Sequence, residues 1–167
     1  QGGNVVGYLC SAVPAEIITA AGLLPFRMRA TGSTSTELAD AYFININCSF
    51  PRHCFNLALR GEFDFLSGVV IPHTCDAMHR LYDIWKYHLK PPYSFQLYVP
   101  HMTHKASYEF FQKEIESLKT GLEQFVRRAA SENDLIDAIR LHNRSRALLR
   151  ELYNMRKLEP PLISGTE

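Results

Sequence analysis

The segment "FDFLSGVVIPHTCDAMHRLYDIW" (residues 63–85) joins an apolar run to a helix-like run, with one cysteine, Cys75, between them. The apolar run over residues 63–72 is typical of a buried strand. In the second run, apolar side chains recur at steps of three and four residues, which predicts an amphipathic helix. The apolar side chains with this spacing are Met78, Leu81, Tyr82 and Trp85. The segment therefore predicts a strand, a short connection and a helix.

The same alternation extends to both sides of this segment. Residues 5–9, 23–30 and 93–100 read as further strands. Helices are predicted between Pro14 and Gly22 and between Pro51 and Gly61, because proline favours the first turn and glycine the end. Strands that alternate with helices predict an α/β fold with a parallel, doubly wound sheet and flanking helices. Such sheets bind ligands at the carboxyl ends of their strands.

Two long helices are predicted after the last strand. The first carries a stripe that is predicted to face the core, namely Tyr108, Phe111, Ile115, Leu118, Leu122 and Phe125. The second opens at Ser131, with Asp134 three residues later, which is close to a capping box. One of its faces is predicted to carry Leu135, Ile139, His142, Leu149, Leu152 and Tyr153.

Composition limits the class of protein. The 167 residues suffice for one domain with a substantial core. The net charge is +1 and the sequence has no basic stripe, so nucleic acid is not an expected partner. No window resembles a membrane span or a signal peptide. Four cysteines are too few for a disulfide-stapled secreted module, so a reducing cytosol is expected. Both ends look cut, which predicts a piece of a longer protein.

Three cysteines fall where the chain enters a helix. Cys10 and Cys75 each follow a predicted strand, and Cys48 precedes the helix that Pro51 opens. They are expected to converge at one edge of the sheet. A helix N-terminus carries partial positive charge and unpaired N–H groups, which stabilise a thiolate. Cys54 falls inside a helix and is expected in the core.

The residues alone leave several uses for these thiols open. Buried spectators, iron–sulfur ligands, zinc ligands and a catalytic thiol all remain, since no CxxC pair is present. A zinc site would draw on the neighbouring histidines, which are His53, His73 and His79.

Other polar and aromatic side chains have simpler interpretations. Glu16 lies in the first helical turn, where an acid offsets the dipole. Arg52 and Arg80 could hold an anion near the cysteines, and Ser11 could face a ligand. Surface positions are favoured for His101 and His104, and core positions for Tyr82 and Trp85. No nucleotide-binding motif is present.

Three stretches resemble the 2-hydroxyacyl-CoA dehydratase D-component family, which includes two subunits of the benzoyl-CoA reductases. They are "GYLCSAVPAEIITAAGLLPFRMR", "CSFPRHCFNLALRGEFDFLSGVVIPHTCDAMHRLYDIW" and "AIRLHNRSRALLRELYNMRK" followed by "PPLISGTE". The resemblance runs along nearly the whole chain and keeps the order of the family's motifs. It implies a Rossmann-like α/β domain over residues 1–105 that carries cluster-ligand cysteines. A helical hairpin over residues 106–160 would lead to a second domain absent from this chain.

The resemblance also implies a cofactor, usually a 4Fe-4S cluster held between two domains. Cys48 in "NCSFPR" and Cys75 in "HTCDAMHR" match two ligands, and a third would come from the second domain. Cys10 in "GYLCS" matches a further ligand or a neighbour of an open iron site, and Ser11 is similarly placed as a catalytic residue. A double-cubane cluster, found in some relatives, would use more thiols, for which Cys10 and Cys54 are available.

The family's chemistry implies the reaction and the partners. An ATPase activator with its own iron–sulfur cluster delivers a low-potential electron, which passes to a CoA thioester and forms a ketyl radical. Dehydration of a 2-hydroxyacyl group (lyase) or reduction of an aromatic ring (oxidoreductase) follows, in a cytoplasmic complex with a sister cluster-binding subunit. This chain alone could lack activity. A non-catalytic structural or electron-relay subunit is the alternative, and a zinc-binding fold is a third hypothesis.

Overall fold

A computed structural model describes residues 5–44 and 46–163 of the chain. The two chain ends, which the sequence predicted to be cut, lie outside the described residues. Within the described part, no helix combines the length and the apolar character needed to cross a bilayer.

The sheet has four parallel strands. They are β1 (Val5–Tyr8), β2 (Leu24–Arg27), β3 (Gly68–His73) and β4 (Tyr93–Tyr98), in the order β2-β1-β3-β4. Six helices are described, namely α1 (Ala15–Ala20), α2 (Glu37–Asp40), α3 (Ser49–Leu59), α4 (Asp76–Leu89), α5 (Lys105–Val126) and α6 (Glu132–Met155). The predicted α/β fold with a parallel, doubly wound sheet is confirmed.

Alternate residues of β3 point to opposite faces of the sheet, and each face has its own core. Val69 packs with Phe55 of α3 and Trp85 of α4 on one face. Val70 packs with Ile18 of α1 and Leu122 of α5 on the other face. A strand with both faces buried reads as a continuous apolar run, which is why "GVVI" was recognisable.

The chain leaves β1 and β3 in opposite directions. After β1 it passes through α1 on one face to reach β2, and after β3 it passes through α4 on the other face to reach β4. The connections diverge at the carboxyl ends of β1 and β3. This divergence is a topological switch point, where sheets of this type leave a crevice for a ligand.

The predicted strand over residues 63–72 was too long. Residues 63–67 form turns, with Leu66 N donating to Phe63 O and Ser67 N donating to Val5 O, and β3 begins at Gly68. Phe63 packs on Trp85 with ring centroids 6.1 Å apart. The apolar character of this stretch therefore comes from aromatic packing and not from strand pairing.

The burial of the two long helices, α5 and α6, agrees only in part with the prediction. Leu118 and Leu122 of α5 are fully buried, but Tyr108 is 65% exposed, so its placement in the core-facing stripe was wrong. The capping box is confirmed, because Ser131 Oγ accepts from Asp134 N at 3.1 Å and Asp134 Oδ2 accepts from Ser131 N at 2.9 Å. Along α6, four of the six predicted face residues are exposed, namely Ile139, Leu149, Leu152 and Tyr153.

Candidate functional site

Cys48 and Cys75 are the N-cap residues of α3 and α4. Both thiols are exposed, and neither makes a side-chain capping hydrogen bond. Each sulfur is therefore free to face a ligand at the positive end of a helix, next to N–H groups that have no intrahelical partner. The prediction that these cysteines stand at helix entrances is confirmed.

Cys10 lies two residues beyond β1 and adopts a left-handed backbone conformation with φ of 60°. Partial burial raises the pKa of its thiol, a hydrogen bond with Thr74 opposes this effect, and the charges of Cys75 and Cys48 raise the pKa further. The nearby Arg27 lowers the pKa. Cys10 and Cys75 thus follow the carboxyl ends of the neighbouring strands β1 and β3, and Cys48 stands at the start of α3.

Cys54 differs from these three. It is fully buried beside Phe55 on α3, and desolvation, with a smaller contribution from Cys10, raises the pKa of its thiol to about 12. The predicted core position is confirmed. A metal ligand must be deprotonated, so this environment argues against a ligand role for Cys54.

The thiols fit part of a ligand set. Soft sulfur ligands suit iron–sulfur clusters and zinc. Among the described residues, however, no three histidine, cysteine or acidic side chains lie close enough together to hold a metal ion. A cluster at this edge therefore needs at least one ligand from outside the described residues.

The neighbouring histidines have protein partners. His53 Nδ1 lies 2.8 Å from Ser33 Oγ, and His79 Nδ1 lies 3.0 Å from Gln96 Nε2. The His73 ring packs against the His79 ring at 4.6 Å. The described residues contain no group of three histidine, cysteine or acidic side chains that could hold a metal ion. Together with these contacts, this gives little support to a zinc site that uses histidine.

Ser11 is exposed and lies next to Cys10 in a cleft of about 290 Å³. The opposite wall is formed by α6, through His142 and Arg146. This wall is attached to α1 by two polar contacts, His142 Nε2 to Thr19 Oγ1 at 2.9 Å and Arg146 to Glu16. The cleft therefore brings together residues that are more than 120 positions apart in sequence.

Glu16 has a double role at this wall. Burial would raise the pKa of its carboxyl, but a hydrogen bond from its own backbone N–H and the Arg146 side chain hold the pKa below its usual value. The backbone contact agrees with the predicted helix-start role. Sequence reasoning did not find Arg146, because nothing local marks a partner 130 residues away.

The two arginines near the cysteines, which could have held an anion, both lie close to acidic side chains. Arg52 Nε donates to Asp40 Oδ1 at 2.8 Å and Arg52 Nη2 donates to Thr36 Oγ1 at 3.1 Å, so its guanidinium is already engaged. Arg80 lies 3.5 Å from Asp76 on the exposed side of α4. Arg27 was not singled out, because the predicted strand ran to residue 30, whereas β2 ends at Arg27.

The remaining predictions concern structural residues. Trp85 is buried and Tyr82 packs against the same core, as predicted. His101 and His104 are exposed, and His104 caps α5 by accepting from Ser107 N. These side chains belong to the framework of the site.

Comparisons with known proteins agree with the resemblance seen in the sequence. Residues 10–167 match the model of the family described as 2-hydroxyglutaryl-CoA dehydratase, D-component. The chain is 30% identical over 159 residues to one of the benzoyl-CoA reductase subunits of Thauera aromatica, and the match covers 94% of this chain and 41% of that protein.

Two further relatives are dehydratase subunits. The chain is 26% identical over 168 residues to the beta subunit of (R)-2-hydroxyglutaryl-CoA dehydratase of Acidaminococcus fermentans, covering 99% and 44% of the two chains. It is 26% identical over 164 residues to the beta subunit of lactoyl-CoA dehydratase of Anaerotignum propionicum, covering 98% and 43%. The chain thus spans less than half the length of these relatives.

Proposed function

The chain belongs to the 2-hydroxyglutaryl-CoA dehydratase D-component family, and on this premise we propose that it is the N-terminal part of an iron–sulfur enzyme subunit. The complete subunit would act in radical dehydration of a 2-hydroxyacyl-CoA or in reduction of an aryl-CoA. In either case a low-potential electron passes to the CoA thioester. The relatives are named as subunits of both kinds of enzyme, so the choice between the two reactions depends on the acyl group.

One observation supports the proposal, namely that Cys10 and Cys75 follow the two strands at the switch point while Cys48 and Cys75 both stand at helix starts. Cys48 and Cys75, as exposed N-caps, are the proposed ligands, with Cys10 as a further ligand or close neighbour. When bound, a 4Fe-4S cluster supplies one-electron transfer at low potential. A double-cubane cluster is the alternative, although the burial of Cys54 does not favour it.

The chain's own residues would tune and shape this site. The N-termini of α3 and α4 offset the negative charge of the thiolates and offer N–H groups to sulfur. Ser11, at the mouth of the cleft beside Cys10, can donate its hydroxyl hydrogen to the thioester oxygen and hold it in place. His142 and Arg146 of α6 line the same cleft, and a cleft covered in the full complex would exclude water and strengthen the Ser11 hydrogen bond.

The proposal includes partners that lie outside this chain. The missing cluster ligand would come from the remainder of the full-length subunit, in the proposed second domain. A sister cluster-binding subunit and an ATPase activator with its own iron–sulfur cluster complete the proposed complex, in the cytoplasm. The shorter length of the chain compared with its relatives is consistent with a further domain in the full-length protein.

Anaerobic reconstitution tests the proposal directly. The full-length subunit with its partner is treated with iron and sulfide, then followed by visible absorption and by EPR after reduction. Cys48→Ser and Cys75→Ser should lose the signals, and Cys54→Ala, a matched change of a buried thiol, should keep them. A wild-type complex without cluster absorption and without an EPR signal would refute the proposal.

A structural or electron-relay subunit is the second candidate. Turnover of the full complex separates the two roles. If Cys48→Ser and Cys75→Ser abolish the cluster signals but leave turnover unchanged, the subunit is structural and the catalytic proposal fails.

A further inference from the structure

A second, larger cleft runs along the free edge of β2. Its volume is about 630 Å³, within the range of small-molecule sites, and it wraps around the edge strand. The main lining residues are Phe26, Arg27, Arg29, Thr31, Phe63 and Phe65. Arg27 also lines the smaller cleft that holds Cys10 and Ser11, so the two clefts meet at this side chain.

The cations of this cleft are available to a ligand. Arg27 and Arg29 are both exposed. Neither makes an ion pair or a hydrogen bond with any residue that the structure describes, whereas Arg52, Arg128 and Arg146 are all engaged. A guanidinium binds phosphate through parallel N–H donors, so two unpaired guanidiniums that line one cleft suit a group that carries several phosphates.

Aromatic rings line the same cleft from the other face of β2, since Phe26 alternates with Arg27 along this strand. Phe26 and Phe65 are 37% and 45% exposed, and they meet edge to face with centroids 5.1 Å apart. Exposed rings in a cleft that also holds cationic side chains provide a stacking surface for a planar base. Among the described residues, Glu62 is the one acid that lines this cleft, and it would repel a phosphate, so the phosphates belong on the Arg27 and Arg29 side.

We propose that the β2 cleft binds the 3′-phosphorylated ADP end of coenzyme A, with Arg27 and Arg29 holding phosphates and Phe26 and Phe65 flanking the adenine. This inference rests on the proposed function, since it assumes a CoA thioester as the ligand. From the β2 cleft the pantetheine arm passes Arg27 into the smaller cleft, which places the thioester beside Cys10 and Ser11. The β2 cleft thus recognises coenzyme A, which the names of the relatives share. The smaller cleft faces the acyl group, which differs between them.

Calorimetric titration of the full-length complex without its cluster tests the assignment. CoA and adenosine 3′,5′-bisphosphate should both bind, pantetheine should bind far more weakly, and added salt should weaken the first two. Arg27→Ala and Arg29→Ala should each lower affinity for both nucleotides roughly tenfold or more, as expected for a lost charge-assisted hydrogen bond. Arg144→Ala, a matched loss of an exposed arginine on α6 that lines neither cleft, should leave affinity unchanged.

The outcomes separate this inference from the proposed function. If the wild-type complex binds CoA but the Arg27 and Arg29 variants bind it equally well, the β2 edge is covered by another protein segment and the inference fails, while the proposed function stands. If the variants lose nucleotide affinity but reconstitution yields no cluster, the inference holds and the iron–sulfur proposal fails. Failure of the wild-type complex to bind CoA overturns both. Circular dichroism of each variant confirms that it is folded.

Discussion

The buried hydroxyl of Tyr93 offers a quantitative test of the packing between β4 and α5. Among the described residues it has no hydrogen-bond partner, and burial raises the pKa of this phenol. An unsatisfied buried polar group costs about 1–3 kcal/mol, whereas its removal without a change of shape relieves that cost. Tyr93→Phe should therefore raise the free energy of unfolding by about 1 kcal/mol.

Gly121 on α5 makes the test sharper. A Cβ added there would lie 3.0 Å from the Tyr93 hydroxyl oxygen, but 3.6 Å from the nearest ring carbon. Alanine is favoured over glycine inside a helix by about 1 kcal/mol. With the hydroxyl present, the close contact should offset that gain. In the Tyr93→Phe background the gain should appear in full, so the two changes should be coupled by about 1 kcal/mol.

The assay is a double-mutant cycle measured by denaturant unfolding with circular dichroism. Gly121→Ala alone should be close to neutral, and the double variant should gain about 2 kcal/mol over wild type. Tyr108→Phe, which removes an exposed hydroxyl, is the control and should have no effect. Strict additivity of the two changes would refute the close contact between the hydroxyl and position 121. A loss of stability in Tyr93→Phe would show that the hydroxyl has a hydrogen-bond partner.

Three further predictions concern the site and the sheet. In cluster-free protein the two N-cap cysteines should be alkylated first and Cys54 only on unfolding, as mapped by mass spectrometry; early labelling of Cys54 would contradict its burial. Because the folded-state pKa of Glu16 is lowered, its contribution to stability is present above the ordinary value of 4.5 and is lost as pH falls, so wild type should lose unfolding free energy below pH 4.5 more steeply than Glu16→Gln. Equal slopes would show that the Arg146 contact contributes nothing. Gly68→Ala should lose about 1–3 kcal/mol in denaturant unfolding, because the new Cβ would lie 2.7 Å from Tyr93 Cβ and 2.9 Å from its carbonyl oxygen; an unchanged midpoint would contradict the close approach of β3 and β4.

The fold was predictable where local signals and tertiary packing agree. Residues 68–72 form a buried strand because both faces of β3 are covered, so its apolar run had one interpretation. Residues 63–67 also include three large apolar side chains but precede the strand, with Phe63 packed on Trp85, and no local signal separates the two cases. The order of the strands depends on which helix covers which face of the sheet. The spacing of the apolar residues along the chain does not show this.

The part of the candidate site that was predictable is the position of its cysteines at the starts of helices. Cys48 and Cys75 precede helices, and helix starts are marked in sequence by Pro51 and by the apolar period of α4. The cleft beside Cys10 was not predictable, since its far wall comes from α6 through Arg146, 130 residues from its partner. The exposure of the apolar residues of α6 was not predictable either, because a period shows which side chains share a face and not whether another element covers that face.

The left-handed backbone at Cys10 has a practical consequence for anyone engineering this protein. Glycine adopts that conformation without the steric strain that a side chain brings, so stability alone would favour glycine at this position. A screen for thermostable variants would therefore select against the sulfur, and its most robust product would have lost a thiol of the candidate site. Position 10 should be held fixed in any such library.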